Sequence, residues 1–468
     1  MKDSAAHRKP LRRALLASAA LLSLTTLSTT AQTPSPAGQD ALAMADVTTP
    51  VPFAANAPVP LPVQVERRPL ANTFDVRLFE AIAQDLVANQ RIPGLAMAIV
   101  HDGKVLSARG YGITDVRNAE PVDAHTVFRL ASLSKPFAGT VTGMLVSEGA
   151  LRWDSPLVDF MPSLRFSNPT AAERLTVADV LSHRVGLPRT TFDRDIQANA
   201  DYRDLVARLS QVSMTCMPGD CYDYQNVAFS LIGDVVFAAS GQFYNEAVSR
   251  KILKPLGMND SSLGLEGIMA SPRWAKPHVR AGAGWRSVTP LPTYYRVSPA
   301  AGVNASISDM AQWLIAQGGH RPDVLPAPLL ATLQAPIVGT PSELRGGSWR
   351  RERLNAAGYG LGWRVYDYAG HRMVFHGGAV QGYRGVMAML PERDLGIVIL
   401  WNSESGLPSG LLPTILDRAI GLPQQPWMDI DPAIESLFAD QTNDAPAAPA
   451  TASATGGAHA SRADATPH

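Results

Sequence analysis

Segments with the pattern of β-strands lie at both ends of residues 70–425, and the segments between them have the pattern of helices. Near the N-terminal end, Gly94 to Val100 and Val105 to Gly112 flank an Asp-Gly pair, a strong hairpin signal. Near the C-terminal end, the predicted strands are Val374 to Phe375, Gly385 to Leu390 and Gly396 to Trp401. This order predicts an α+β fold: one antiparallel sheet built from both chain ends, flanked by helices, with an all-helical lobe inserted. It does not fit an alternating, doubly wound fold.

The helices in this scheme are indicated by spacing and by capping residues. Apolar residues recur at helical spacing between Phe74 and Val87. Thr176 with Asp179, and Ser306 with Asp309, have the spacing of capping boxes that open apolar helices.

The two ends of the chain have compositions that do not suit a folded core. Residues 1–31 combine a basic start, an uncharged run from Ala14 to Leu27 and small residues after it, which predicts a cleavable signal peptide. Residues 32–69 are predicted to be a Pro- and Ala-rich linker. Residues 426–468 are predicted to be a disordered tail, because residues 441–468 lack large apolar side chains. We therefore expect a periplasmic or secreted protein with no membrane span in its mature form.

The overall charge and the short motifs exclude several classes of function. Basic and acidic residues are equal in number, 41 of each, so the chain lacks the basic balance of a nucleic-acid-binding protein. It contains no His-Glu-x-x-His pair and no Gly-x-Ser-x-Gly elbow. We expect no metal and no cofactor. Cys216 and Cys221 are compatible with a disulfide in an exported protein or with two unpaired thiols. The oligomeric state stays open.

The first chemical signal is Ser132-Leu-Ser-Lys135. Because proline is tolerated in the first turn of a helix, Pro136 indicates that a helix begins near Ser132. Ser132 and Lys135 are then neighbours on one face of that helix. A serine hydroxyl needs a nearby base to act as a nucleophile, and a partly desolvated lysine can supply one.

Two further motifs add groups of the same chemistry. Tyr224-Gln-Asn226 is the only Tyr-x-Asn in the chain, and it offers a phenol for proton transfer and a carboxamide to hold a lysine or a substrate amide. His376-Gly-Gly378-Ala379 follows a predicted strand. Its glycines leave room for a substrate along the strand edge, and the backbone N–H of Ala379 can join that of Ser132 as an oxyanion hole.

The order of these motifs resembles the penicillin-recognising serine hydrolases, a group of class C β-lactamases, D,D-peptidases and related esterases. Their pattern is Ser-x-x-Lys, then Tyr-x-Asn, then Lys-Thr-Gly or His-x-Gly on a strand. The resemblance covers residues 70–425. It extends to three supporting segments: Leu181 to Pro188, Pro299 to Met310, and Tyr359-Gly-Leu-Gly-Trp363.

The resemblance implies a role for each matched residue. Ser132 would be the acylated nucleophile, Lys135 and Tyr224 would share the role of general base, and Asn226 would orient Lys135 and the substrate. His376, Gly378 and Ala379 would contact the substrate. His376 stands where β-lactamases and D,D-peptidases usually have a lysine, and a histidine is mostly neutral at pH 7. Arg384 is a candidate to supply a cation nearby, with an ordinary surface position as the alternative.

These residues lead to three functional hypotheses. The favoured one is an exported serine hydrolase that acts through an acyl-enzyme on an ester or a small amide. The alternative within the family is a class C-like β-lactamase, or a D,D-carboxypeptidase or D-aminopeptidase acting on cell-wall peptides. The alternative of another class is a non-catalytic protein that binds peptidoglycan or β-lactams. The partner in each case is a small ester, a β-lactam or a D-amino-acid peptide.

Overall fold

A computed structural model describes residues 66–428 of the chain. The predicted signal peptide, the linker up to residue 65 and the tail from residue 429 lie outside the described residues. Within the described part the strands are β1 (Gly94–His101), β2 (Lys104–Asp115), β3 (Asn118–Pro121), β4 (Val127–Arg129), β5 (Ser262–Leu263), β6 (His278–Ala281), β7 (Gly284–Ser287), β8 (Val303–Ser306), β9 (Val338–Gly339), β10 (Leu354–Tyr359), β11 (Arg364–Tyr368), β12 (His371–Val380), β13 (Tyr383–Leu390) and β14 (Leu395–Trp401).

The main sheet combines strands from both ends of the folded region, and this confirms the predicted α+β class. Its order is β3-β2-β1-β14-β13-β12-β11-β10-β9. The two ends of the chain meet where β1 pairs antiparallel with β14, with Ala98 opposite Val398. The hairpin predicted at Asp102-Gly103 joins β1 to β2. A smaller sheet, β4-β8-β5, lies beside the residues that precede Ser132.

Both faces of the main sheet are buried, which explains why β1 is apolar almost without interruption. Alternate side chains enter two different hydrophobic cores, as the period of two in a strand requires. In β1, the residues facing the first core are Ala96, Ala98 and Val100, and those facing the second are Leu95, Met97 and Ile99. The first core also contains the side chains of the helical lobe.

The helices supply the layers on the two faces of the sheet. They are α1 (Val76–Ala88), α2 (Lys135–Ser147), α3 (Ala171–Arg174), α4 (Val177–Leu181), α5 (Asp193–Gln197), α6 (Tyr202–Arg208), α7 (Leu231–Ser240), α8 (Tyr244–Val248), α9 (Gly264–Ala270), α10 (Ser298–Ala301), α11 (Ile307–Ile315), α12 (Ala327–Gln334), α13 (Ser348–Arg353) and α14 (Leu411–Ile420). Helices α1 and α14 cover the second core, and α2 and α11 belong to the first.

Local sequence signals explain where several helices begin. Asp75 accepts a hydrogen bond from the backbone N–H of Arg77 and caps α1. Thr176 and Asp179 form the reciprocal capping box expected at the start of α4. The aromatic rings of Phe137 and Trp313 stack with centroids 3.9 Å apart and link α2 to α11.

The packed region extends a few residues beyond both predicted boundaries. The N–H of Arg68 donates to the carbonyl of Glu392 at 2.7 Å, although residues 66–69 were assigned to the linker. Trp427, assigned to the tail, donates through its indole Nε1 to Asp417 at 2.9 Å, and Met428 is buried in the second core. The apolar side chains of Trp427 and Met428 account for this, because their burial against the second core stabilises the packed region. Among the described helices, none has the length and apolar character to span a membrane.

Candidate active site

Ser132 lies at a tight turn between the small sheet and the helical lobe. Residues Ala131–Ser134 form a 3-10 turn that leads directly into α2, so the helical region begins where Pro136 predicted it. Ala131 has a φ of 51°, a left-handed conformation that is uncommon for a residue with a side chain. Such backbone strain is typical of functional sites, where surrounding packing enforces it. Here it places Ser132 at the N-terminal end of α2 with its side chain partly exposed.

Lys135 is buried beneath Ser132 and holds three hydrogen bonds. Its Nζ lies 3.2 Å from Ser132 Oγ, 2.7 Å from Asn226 Oδ1 and 3.1 Å from the carbonyl oxygen of Ala300. Burial lowers the pKa of Lys135 well below its ordinary value, since a charged ammonium is poorly solvated there; Asp193 opposes this shift and Arg364 adds to it. A lysine of this kind can lose its proton and accept one from the serine hydroxyl.

Asn226 is oriented by a carboxylate on its other side. Its Nδ2 donates to both oxygens of Asp193, at 3.2 and 3.0 Å. The amide oxygen therefore has to face Lys135, because a carboxylate accepts hydrogen bonds and an ammonium or amine donates them. Asp193, at the start of α5, is thus a positioning residue that sequence reasoning missed.

Tyr224 completes the group around the serine hydroxyl. Lys135 Nζ lies 4.6 Å from the centre of the Tyr224 ring. Burial raises the pKa of Tyr224 to about 12, while the Arg364 charge and the nearby Ser132 hydroxyl oppose this shift. The structure thus brings together Ser132, Lys135, Tyr224 and Asn226.

The loop that carries Tyr224 is held by the Leu181 to Pro188 segment. The backbone N–H groups of Gln225 and Asp223 donate to the ring Nδ1 and the carbonyl oxygen of His183, at 3.2 and 3.0 Å. The N–H of Thr190 donates to the carbonyl of Tyr224 at 2.9 Å. This supporting segment therefore fixes the direction of the Tyr-x-Asn unit.

Cys216 and Cys221 form a disulfide immediately before this loop. Gly186, with a φ of 89°, passes so close that an added Cβ would lie 2.3 Å from the carbonyl oxygen of Cys216. The short covalent ring therefore packs against the supporting segment next to Tyr222.

His376 belongs to a buried chain of hydrogen bonds. Backbone groups at its two ends determine which atoms along it donate and which accept. Its Nδ1 lies 2.8 Å from the carbonyl of Gly377, which can only accept, so Nδ1 carries the proton. Its Nε2 then accepts from the hydroxyl of Tyr359 at 3.0 Å. His183 Nδ1 accepts from the N–H of Gln225, so His183 Nε2 donates to the same hydroxyl at 3.2 Å.

His376 and His183 are both neutral. Burial lowers the pKa of His376 and of His183 well below the ordinary value, and nearby cations add to the shift. His376 is 0% exposed, and both of its ring nitrogens are engaged by internal partners. Its imidazole is therefore engaged by Tyr359 and by the backbone of β12, and the substrate contact expected of it stays a prediction.

Glycines bring β12 and the Tyr359-Gly-Leu-Gly-Trp363 segment against the helix of Ser132. An added Cβ at Gly378 would lie 2.4 Å from the carbonyl oxygen of Leu130. One at Gly362 would lie 2.5 Å from the carbonyl of Lys135. Only glycine permits these backbone contacts, which set Ala379, exposed near the end of β12, beside the turn of Ser132.

Arg384 does not supply a cation to this arrangement, and its place agrees with the alternative of an ordinary surface position. On β13, Val386 and Ala388 face the second core, whereas Tyr383 and Met387 face the first. Alternation places Arg384 with Val386 on the far face of the sheet, where its Nε donates to the carbonyl of Glu404 at 2.8 Å. The parity of Arg384 with the apolar residues of its own strand is a sequence signal that points to this result.

A different arginine, Arg364, provides the buried cation near Tyr224. It follows the Tyr359-Gly-Leu-Gly-Trp363 segment at the start of β11, and its guanidinium carbon lies 5.3 Å from the centre of the Tyr224 ring. It forms an ion pair with Glu343. Its position directly after a recognised motif is the one sequence signal for it.

Taken together, these groups can carry out acyl transfer. A partly exposed hydroxyl contacts a buried amine that can take its proton, a phenol that can relay protons lies next to that amine, and an exposed strand end lies beside them for the substrate. The backbone N–H groups of Ser132 and Ala379 are the candidate donors for an oxyanion.

Comparisons with known proteins agree with this geometry. The family model described as Beta-lactamase matches residues 79–421. The unguisins hydrolase ungD' of Aspergillus campestris is 27% identical over 336 residues, which are 69% of this chain and 61% of the relative. The protein flp of Staphylococcus aureus is 24% identical over 72% of this chain and 64% of its own length. The chain therefore spans less than two thirds of these relatives.

A solved structure shows the same fold. The octameric penicillin-binding protein homologue from Pyrococcus abyssi superposes with a TM-score of 0.65 at 26% sequence identity. The match covers 74% of this chain and 78% of that protein.

Proposed function

Because the chain belongs to the Beta-lactamase family, whose members are serine hydrolases, we propose that it is an exported hydrolase that forms an acyl-enzyme at Ser132 on an ester or an amide. The observation that carries this proposal is the contact between Ser132 Oγ and Lys135 Nζ, 3.2 Å apart, with the amine buried and its pKa lowered. A neutral amine at that distance can act as a general base toward the hydroxyl.

The reaction proceeds in two steps. Ser132 Oγ attacks the substrate carbonyl and its proton passes to Lys135, directly or through Tyr224. The oxyanion is held by the backbone N–H groups of Ser132 and Ala379. The proton then moves to the leaving alcohol or amine, which departs and leaves an ester on Ser132. Water attacks this ester, gives its proton to the same base, and the acid is released as Ser132 recovers its hydrogen.

Esters and small amides are favoured over β-lactams by the state of His376. A lysine at this place would present a permanent charge to a substrate carboxylate, whereas the neutral imidazole of His376 has both nitrogens in internal hydrogen bonds. A β-lactamase or a peptidase acting on D-amino-acid peptides is the alternative. A non-catalytic binder is disfavoured, because the four residues needed for acylation are present and in contact.

The proposed location rests on sequence alone. The basic start, uncharged run and small residues of positions 1–31 support export to the periplasm or beyond.

The test is a comparison of initial hydrolysis rates on three chromogenic substrates: a short-chain p-nitrophenyl ester, a cephalosporin and a D-amino-acid p-nitroanilide. Ser132→Ala is measured in parallel on each. The proposal predicts turnover of the ester that is lost in Ser132→Ala. Dominant turnover of the cephalosporin would identify a β-lactamase, and dominant turnover of the anilide would identify a peptidase acting on D-amino-acid substrates. Rates independent of Ser132 would refute the proposed mechanism.

A further inference from the structure

A fixed positive charge lies close to the proton acceptors of the site. In the family pattern the strand equivalent to β12 carries a lysine, but here that position holds His376, which is neutral. A fixed charge is present on the adjacent strand instead. Arg364 places its guanidinium carbon 5.3 Å from the Tyr224 ring centre and 5.7 Å from that of Tyr359.

The charge of Arg364 is held in place by a buried carboxylate. Glu343 accepts hydrogen bonds from Arg364, from Arg350 and from the hydroxyl of Tyr366, the last at 3.1 Å. The side chains of Arg364 and Glu343 are only 12% and 7% exposed, so water screens this group weakly. Two guanidinium groups share one carboxylate, which leaves a net positive charge at the back of Tyr224.

Several other charged or titratable side chains face Tyr224 from the elements packed against it. Lys135 lies on the α2 side, and Asp193 on α5 is the anion nearest to Lys135. The remaining groups are the neutral or hydroxyl-bearing side chains Ser132, His183, Tyr222, Tyr359 and His376. Among these described groups, Arg364 is the permanently charged cation, since Lys135 itself exchanges protons in the reaction.

We propose that Arg364, held by Glu343, is a positioning residue whose fixed charge keeps the Lys135–Tyr224 pair ready to accept the proton of Ser132, in place of the missing lysine on β12. This role rests on the proposed function. Because Arg364 is buried and paired, it acts on the proton acceptors from behind and does not offer its charge to a substrate carboxylate.

The charge of Arg364 shifts the pKa of the base in the same direction whether Lys135 or Tyr224 is that base. A nearby cation disfavours a protonated lysine and favours an ionised phenol, and the charge of Arg364 lowers the pKa of both Lys135 and Tyr224. Removing that charge therefore raises the pKa of the base. The rise of kcat/KM with pH, which follows deprotonation of the base, then moves to higher pH.

The test compares Arg364→Met with Arg364→Lys and with a matched control, Arg353→Met. Arg353 has a side chain 13% exposed and is paired to the buried Asp417, which also accepts from the hydroxyl of Tyr368, so it repeats the Arg364 arrangement away from the site. For each protein the pH profile of kcat/KM is measured with a p-nitrophenyl ester, and unfolding is measured in urea.

The inference predicts that Arg364→Met shifts the rising limb by on the order of one pH unit to higher pH, which is about a tenfold loss of kcat/KM below the limb. Arg364→Lys should restore most of the profile. Arg353→Met should lower the free energy of unfolding but leave the rising limb of kcat/KM at the wild-type pH. The inference would be overturned if the rising limb of Arg364→Met lay at the wild-type pH. It would also be overturned if Arg364→Lys lost as much kcat/KM as Arg364→Met.

A second readout separates this inference from the proposed function. If the wild-type protein shows no turnover that depends on Ser132, the proposed function fails, but the proton affinity of Lys135 remains measurable. In protein labelled with 13C-lysine, the Cε resonance of Lys135 is assigned by its absence in Lys135→Met and followed against pH. A higher midpoint in Arg364→Met than in the wild type supports the inference, and an equal midpoint refutes it.

Discussion

The hydroxyl of Tyr359 joins two buried histidines, so its removal has a cost that can be worked out from the structure. Tyr359 is 0% exposed; its hydroxyl accepts from His183 and donates to His376. Tyr359→Phe leaves both imidazole nitrogens without a partner in a space closed to water. A buried polar atom left without its hydrogen bond costs about 1–3 kcal/mol. The substitution should therefore lower the free energy of unfolding by about 2–6 kcal/mol.

The chain offers two controls with the same chemical change. Tyr383 is equally buried, and its hydroxyl donates to one carbonyl, that of Ala275, so Tyr383→Phe should cost about half as much. Tyr244 is also buried, but within the described residues its hydroxyl has no hydrogen-bond partner. Tyr244→Phe should therefore change stability by less than about 0.5 kcal/mol.

The assay is urea unfolding of the wild-type protein and the three variants, followed by fluorescence or circular dichroism. The free energy is obtained from the midpoint and the slope, with the slope expected to stay constant. The loss in the free energy of unfolding should be largest for Tyr359→Phe, smaller for Tyr383→Phe and smallest for Tyr244→Phe. A cost for Tyr359→Phe below 1 kcal/mol, or one no larger than that of Tyr383→Phe, would refute the two-partner role of this hydroxyl.

Three further predictions concern activity. Gly378→Ala should reduce kcat/KM for a p-nitrophenyl ester by on the order of a hundredfold, because the new Cβ would push β12 away from the turn of Ser132; unchanged kinetics would contradict the close contact. Asp193→Asn should move the rising limb of the kcat/KM profile to lower pH, because the carboxylate favours protonated Lys135 and its loss lowers the pKa of Lys135 further. A shift of the limb to higher pH would contradict this prediction. Arg384→Ala should leave kcat/KM unchanged for both an ester and a cephalosporin, and a selective loss with the carboxylate-bearing cephalosporin would show that Arg384 reaches the substrate after all.

The main architecture could be predicted because it depends on local patterns and on chain order. The hairpin at Asp102-Gly103, the capping box at Thr176 and the apolar strands were visible as short-range signals. Their order along the chain then left few ways to bury both faces of one sheet. The pairing of β1 with β14 follows from this, although it joins residues about 300 positions apart.

The site was predictable in its motifs but not in its supporting charges. Ser132 and Lys135 are three residues apart, so a helix alone brings them together. Arg364 and Asp193 reach the site only through the tertiary fold, from the first residues of β11 and α5. For Arg384 the sequence left two positions open, and the alternation of side chains along β13 decides for the one away from the site.

The behaviour of His376 shows a second limit of sequence reasoning. A histidine in a substrate-facing motif suggests a titrating group that meets the substrate. In the fold, its neighbours Tyr359 and Gly377 engage both nitrogens, and burial lowers its pKa. The partner Tyr359 cannot be read from the motif, since it lies on a different strand.

The central claim is that Ser132 becomes acylated, and intact-mass spectrometry tests it most directly. The protein is mixed with a p-nitrophenyl ester and quenched in acid during turnover, and its mass is then measured before and after digestion. The account predicts one added acyl group on the peptide that contains Ser132, absent from Ser132→Ala and strongly reduced in Lys135→Met. An acyl group on another residue, or ester turnover that continues unchanged in Ser132→Ala, would contradict it.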